Sequence, residues 1–278
     1  MKYFDSHAHY LAKRFKKDMH KLLVDMHKND GVEYIVNSTS DSALESGLQL
    51  AKKYDFFYLS ITMDDFYLDD LEEPEKEESK INELLERTVA KALKLKKESG
   101  KIVGWGEFGM DFRKEEPTEK SIKNQSFWFK KDLEAARQLK LPVVIHSGNA
   151  CDMVFDLLKA ANMPDYGNGK GMIHSFLGSP ELAQRYIKMG YLISVTGVVT
   201  HRSPRGRNLA QVVKKVPLEH MVIETDAPHL TPEPFRDRRN DSSYLRLVVE
   251  EIAKIKNVSP QEVAKITTSN AKALFGIR

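Results

Sequence analysis

Short runs of β-branched and aromatic residues alternate along this chain with longer stretches in which apolar residues recur every three or four positions. The runs are Tyr3–Phe4, Tyr34–Val36, Phe56–Ile61, Ile102–Trp105, Val143–Ile145, Met172–Ile173, Tyr191–Val195 and Met221–Ile223. Each reads as a strand and each is followed by a helical pattern. Between residues 76 and 98, Ile81, Leu84, Leu85, Thr88, Val89, Ala92 and Leu93 fall at helical spacing, and the charges between them form a solvated face. Near the C-terminus, Ser259-Pro260-Gln261-Glu262 joins a capping box to a proline at the first helical position and predicts a helix there.

Regular alternation of strand and helix predicts a parallel sheet covered by helices. Eight units in 278 residues favour a closed (β/α)8 TIM-type barrel over an open doubly wound sheet, because such a barrel takes about 250 residues. No low-complexity linker divides the chain, so residues 1–278 are expected to form one domain. The single cysteine, Cys151, cannot build a disulfide framework and suits a reducing compartment. The N-terminus carries no apolar run of signal-peptide length, and no run approaches the roughly 18 residues of a membrane span. The expectation is a cytoplasmic protein without a membrane partner. A net charge of +3 is too small to point to an anionic partner. The placement of the charges says more.

In barrels of this class the active site lies at the C-terminal ends of the strands. Here those ends carry His7-Ala8-His9, Glu107, His146, His174 and Glu224-Thr225-Asp226. Side chains two apart on a strand point the same way, so His7 and His9 can reach one ion, and Glu224 and Asp226 share that spacing. Unpaired acids and imidazoles at one end of an apolar barrel would cost several kcal/mol each. A shared cation removes that cost. Imidazole and carboxylate ligands together suit zinc, manganese, iron or nickel, with magnesium less natural at the histidines. Glu107 could bridge two ions, and two ions about 3.5–4 Å apart suit phosphoester hydrolysis. His20 and His27 read as surface residues and His220 just precedes strand 8, at the end opposite the site, whereas His201 and His229 lie just past strand ends.

Two basic loops follow strands 7 and 8: His201-Arg202-Ser203-Pro204-Arg205-Gly206-Arg207 and Phe235-Arg236-Asp237-Arg238-Arg239. Phosphate sites in such barrels often use these loops, and arginine matches phosphate bidentately. Against this, Asp64-Asp65, Asp69-Asp70 and Glu77-Glu78 after strand 3 would repel a long polyanion on that side. Residues 104–109 spell G-x-G-x-x-G, but no helix opens at the glycines and the next convincing one begins near Ser121. A nucleotide cofactor is therefore not expected. The glycines instead let the strand pack tightly and present Glu107. Cys151 reads as a small apolar residue at the start of the helix after strand 5.

Taken in order, Asp5-Ser6-His7-Ala8-His9, Gly106-Glu107-Phe108-Gly109-Met110-Asp111, Leu141-Pro142-Val143-Val144-Ile145-His146, His174-Ser175-Phe176-Leu177-Gly178-Ser179 and Glu224-Thr225-Asp226-Ala227-Pro228 resemble the TatD family of metal-dependent DNases, in the amidohydrolase-like barrel superfamily. A closing stretch from Val263-Ala264 through Asn270-Ala271 to Phe275-Gly276 is also similar to the family's C-terminus. The resemblance implies two divalent ions, magnesium, manganese or zinc. His7, His9, Glu107 and Asp226 would hold one, and Glu107, His146 and His174 the second. Asp226 would accept a proton from the attacking water, which makes Asp226 and Glu107 the catalytic pair. Glu224 would be a supporting or substrate-contacting group.

The departures lie where substrate would bind. Gly148 stands two residues after the strand 5 histidine, where an arginine is usual. Arg236-Asp237…Asn240-Asp241-Ser242 replaces Arg-Gly…Asn-Glu-Pro, and His229 replaces a common tyrosine. The leading expectation is a metal-dependent phosphodiesterase acting on DNA, at ends or on single strands. Arg202, Arg205, Arg207, Arg236, Glu224 and His229 would contact the substrate. The rivals are a hydrolase of a lactone, amide or acyl ester on the same barrel, and a non-catalytic module that merely retains metal.

Overall fold

In the computed structural model of the protein, which describes residues 1–63, 74–165 and 169–278, the eight strands form one parallel sheet in the order in which they occur in the chain. They are β1 Tyr3–Ala8, β2 Val32–Ser40, β3 Phe57–Thr62, β4 Ile102–Asp111, β5 Val143–Gly148, β6 Gly171–Ile173, β7 Tyr191–Val195 and β8 Met221–Ile223. The sheet returns on itself just beyond β8. Ala8 bridges Ala227, His9 N donates to Ala227 O at 2.7 Å, and Asp226 N donates to His7 O at 3.0 Å. The fold is therefore a (β/α)8 TIM barrel, as the alternating pattern predicts.

The helices are α1 Met19–Asn29, α2 Leu44–Lys53, α3 Glu78–Ser99, α4 Glu119–Leu139, α5 Cys151–Ala161, α6 Pro180–Lys188, α7 Pro204–Lys215, α8 Leu245–Lys256 and α9 Pro260–Phe275. In α3 the residues at helical spacing do face inward, with Ile81, Leu85, Thr88, Val89 and Ala92 buried. The start predicted at Ser259 is real, and Ser259 Oγ accepts the amide of Glu262 at 3.2 Å. The same serine–proline start opens α6 at Ser179-Pro180 and α7 at Ser203-Pro204. No helix among the described residues is long and apolar enough to cross a membrane.

Two apolar layers position the site. One lies between strands and helices. The other fills the base of the barrel, where Phe4, Val36, Val103, Val144, Met172 and Val222 meet Ala271, Leu274, Phe275 and Ile277 from α9 and the residues after it. Val144, Met172 and Val222 lie two residues before His146, His174 and Glu224, so strand alternation carries these three polar groups to the interior above the plug.

Two strand ends differ from expectation. β4 does not stop near Glu107 but runs on to Asp111, pairing Gly109 with His146 and Asp111 with Gly148. Glycine makes the close approach possible. A Cβ at Gly106 would lie 2.3 Å from Val144 O and one at Gly109 1.8 Å from His146 O. The other difference is at β8, which ends at Ile223, with Asp226 left-handed at φ 56°. Glu224 and Asp226 are thus not neighbours on one strand face. The glycines of residues 104–109 lie inside β4 and the next helix opens at Glu119, so they form no helix-capping phosphate loop. Of the acidic run, Asp64, Asp65, Asp69 and Asp70 lie outside the described residues, while Glu78 Oε1 accepts Lys131 Nζ at 2.9 Å.

Candidate metal centre

Four imidazoles converge on the carboxylate of Glu107. Its Oε2 lies 3.1 Å from His7 Nε2 and 3.4 Å from His9 Nε2. Its Oε1 lies 2.7 Å from His146 Nδ1 and 3.4 Å from His174 Nε2. Asp226 adds a second carboxylate on the first side, with Oδ1 3.3 Å from His9 Nε2 and 3.8 Å from His7 Nε2. His7 and His9 bring their Nε2 atoms to within 2.9 Å of each other, as the two-residue spacing predicts. Two groups of ligand atoms lie within 4.8 Å of one another: His7, Glu107 and His174, and His7, His9 and Asp226.

A ring of supporting groups holds the imidazoles. Glu224 is fully buried; its Oε1 accepts the amide of Ser175 at 2.6 Å and lies 3.0 Å from His174 Nδ1. Asp226 Oδ1 faces the other edge of the same ring, 4.0 Å from Nε2. Glu224 and Asp226 therefore flank His174 from opposite edges rather than sharing one face. Asp111 Oδ2 lies 3.3 Å from His146 Nε2.

Beneath His7, Asp5 is a fully buried hub. It accepts the amide and hydroxyl of Thr225 at 2.9 and 2.6 Å and the hydroxyl of Ser242 at 2.6 Å. Burial pushes its carboxyl up to about 7, with those hydrogen bonds pulling the other way. The backbone amide of Ser242 in turn donates to Tyr10 Oη at 2.8 Å, so this departure from the family pattern ties the loop after β8 to β1.

The electrostatics are those of a site built for positive charge. Burial works against an ionised Glu107, yet His174 and His7 hold its carboxyl well below the usual range. Burial likewise opposes protonation of His9 and His174. The carboxylates of Asp226 and Glu107 raise His9 to about 10, and Glu224 and Glu107 raise His174 to about 10. His7 goes the other way, lowered by burial and by its neighbour His174.

Several buried polar atoms here make no hydrogen bond, namely His7 Nδ1, both ring nitrogens of His146, His174 Nδ1 and Glu224 Oε2. Close approach without hydrogen bonding, in a mixed imidazole and carboxylate set, is the chemistry of a donor cluster that fits divalent cations.

The cluster opens into a cleft of about 1030 Å³. Its basic lining is Arg113, Lys114 and Lys120, none of them singled out in the sequence. Asp111 closes the Gly106–Asp111 segment, and its two-residue spacing to Arg113 is the sequence signal for this pair. Arg202, Arg205, Arg207 and Arg236 are exposed and do not line this cleft. The first three surround the start of α7, where Arg207 Nη1 donates to Arg202 O at 2.6 Å, and Arg236 lies 3.9 Å from Glu233. His229 is exposed, and His201 Nε2 lies 3.0 Å from Thr231 O. His20 and His27 are exposed, as expected.

The chain is similar to known proteins along nearly its whole length. The family model described as TatD-related DNase matches residues 4–276. An uncharacterized metal-dependent hydrolase of Bacillus subtilis (strain 168), YabD, is 33% identical over 276 residues, covering 99% of each chain. Another, from Methanocaldococcus jannaschii, is 29% identical over 99% of this chain and 97% of its own. Among solved structures, the TatD homologue YjjV of Escherichia coli K12 superposes with a TM-score of 0.83 at 25% identity, covering 99% of this chain and 98% of its own.

Proposed function

Because this chain belongs to the TatD-related DNase family and is a metal-dependent hydrolase, we propose that it hydrolyses phosphodiester bonds of DNA, working from ends or on single strands. The observation that carries this reading is the Glu107 carboxylate, with one oxygen toward His7 and His9 and the other toward His146 and His174. On this reading His7, His9, Glu107 and Asp226 hold one divalent cation, and Glu107, His146 and His174 a second, each magnesium, manganese or zinc. When bound, such cations polarise a phosphoryl group and make water a better nucleophile at neutral pH.

The chain's own groups do the rest. Asp226 turns Oδ1 toward the imidazoles and has Oδ2 to take the proton of the attacking water. Glu107 fixes the two halves of the cluster against each other, and Glu224 keeps the His174 ring in place. Arg202, Arg205 and Arg207, at the start of α7, and Arg236, in the loop after β8, contact backbone phosphates away from the scissile bond, and His229 is a further substrate contact.

The test is end-labelled single-stranded DNA incubated with metal-reconstituted protein, chelator-treated protein and an Asp226→Asn variant. Metal-dependent shortening that both controls abolish is the expected result. No cleavage with magnesium, manganese, zinc or cobalt would sink the DNase reading and turn the search to lactones, amides and acyl esters.

A further inference from the structure

Gly148 ends β5 two residues past His146, so a side chain there would rise on the same side as the imidazole. The space is already filled from the neighbouring strand. A Cβ on Gly148 would lie 2.4 Å from Asp111 Oδ1 and 2.9 Å from Arg113 Nε. Asp111, the last residue of β4, grips Arg113 with both oxygens. Nε is 2.9 Å from Oδ1 and from Oδ2, and Nη2 also donates to Oδ2. The backbone amide of Arg113 donates to Oδ1 at 2.9 Å. The same Oδ2 lies 3.3 Å from His146 Nε2. One carboxylate therefore aligns the guanidinium and an imidazole of the cluster together.

This arrangement is more than a surface ion pair. The grip uses Nε and Nη2, and Nη1 has no protein partner among the described residues. The side chain is 49% exposed, so a ligand can reach it, and Arg113 is the one arginine among the described residues that line the cleft. Glu115 and Glu116 line the same wall of the cleft, and a fixed cation there offsets their repulsion of an approaching anion. A planar donor held at two points is suited to a tetrahedral phosphate oxygen. We propose that Arg113, set by Asp111 in the space left by Gly148, binds the scissile phosphate of the substrate. The proposal rests on the phosphoester reading above.

Metal-loaded wild type, Arg113→Gln and Arg113→Lys would be compared in two ways. Calorimetry measures binding of inorganic phosphate, and steady-state kinetics follows bis(p-nitrophenyl) phosphate beside the uncharged p-nitrophenyl acetate. Arg113→Gln should weaken phosphate binding about tenfold to a hundredfold and raise KM for the phosphodiester to match, at unchanged metal content and melting temperature. Arg113→Lys should recover only part, since an ammonium cannot be gripped at two points.

Unchanged phosphate affinity in Arg113→Gln overturns the proposal. So does a loss confined to kcat, or one that tracks metal content, since the arginine would then act on the cluster. If wild type binds phosphate through Arg113 yet cleaves no phosphodiester with any metal, the reaction assigned above fails while this binding role stands.

Discussion

Replacing Gly109 by alanine tests whether the close contact of β4 and β5 is what aligns the metal centre. The added Cβ would stand 1.8 Å from His146 O, 2.6 Å from its carbonyl carbon and 2.9 Å from its Cα. None of these is the tip of a flexible side chain, so β5 itself must retreat by more than about 1 Å to reach van der Waals contact. Gly109 and His146 are register partners, and the retreat pulls His146 Nδ1 from its place 2.7 Å from Glu107 Oε1. It also strains the bond from Phe112 N to Gly148 O, now 2.8 Å. Overpacking of this kind costs about 1–3 kcal/mol, and a weakened ladder bond adds about 1 kcal/mol. In a chain of this size that lowers the melting temperature by about 3–7 °C. Melting curves would be read beside metal content by mass spectrometry after reconstitution. The variant should lose stability and hold less metal. Gly100→Ala provides the contrast, because φ is +64° there but nothing lies within 4 Å of a Cβ. Strain alone should cost it about 1 kcal/mol and leave metal content intact. A Gly109→Ala protein that melts like wild type with full metal content would refute the reasoning.

Three further outcomes are expected. Glu224→Gln keeps an acceptor for the Ser175 amide but removes the charge beside His174 Nδ1; cation affinity should fall about 10–100-fold in competition with a zinc-sensitive dye, and wild-type affinity would refute it. Stripping metal with a chelator should lower the melting temperature by about 5 °C or more, because a ligand at 100 times its Kd contributes about 2.7 kcal/mol; an unmoved transition would count against cations held by these residues. Arg239 grips Asp18 at 2.7 and 2.8 Å and holds its carboxyl below the usual range. The contribution of that exposed pair, under about 1 kcal/mol, is fully present above about pH 4 and disappears as pH falls through the lowered value. The melting difference between wild type and Arg239→Gln should therefore shrink toward zero in acid, and a constant difference down to pH 3 would argue for packing against Phe15 instead.

The barrel was legible because its strands are apolar runs separated by amphipathic helices, a pattern that needs no knowledge of distant contacts. His146 and His174 were legible for a related reason: Val144 and Met172 anchor the alternation two residues earlier. What escaped depends on the backbone leaving a regular path. The length of β4 follows from close packing at Gly106 and Gly109, and the turn that presents Asp226 follows from closure between Ala8 and Ala227. Asp5 reads in sequence as one more residue before His7, and its burial comes from Thr225 and Ser242, more than 200 residues away. Arg113 looks like an ordinary exposed base until β4 is known to reach Asp111. The basic loops drew attention by density of charge, which says nothing about which cation a fold turns toward the cluster.

The plug formed by α9 makes the barrel a dead-end vessel. With Leu274 and Phe275 packed among Phe4, Val144 and Val222, no channel runs along the axis among the described residues. A polymer cannot be threaded through and drawn out at the far side, as a ring-shaped enzyme would do. Substrate and product must therefore use the same mouth. If the substrate is a DNA strand, as proposed above, only its end or a looped-in segment can reach the cluster, and the rest of the strand must lie across the mouth.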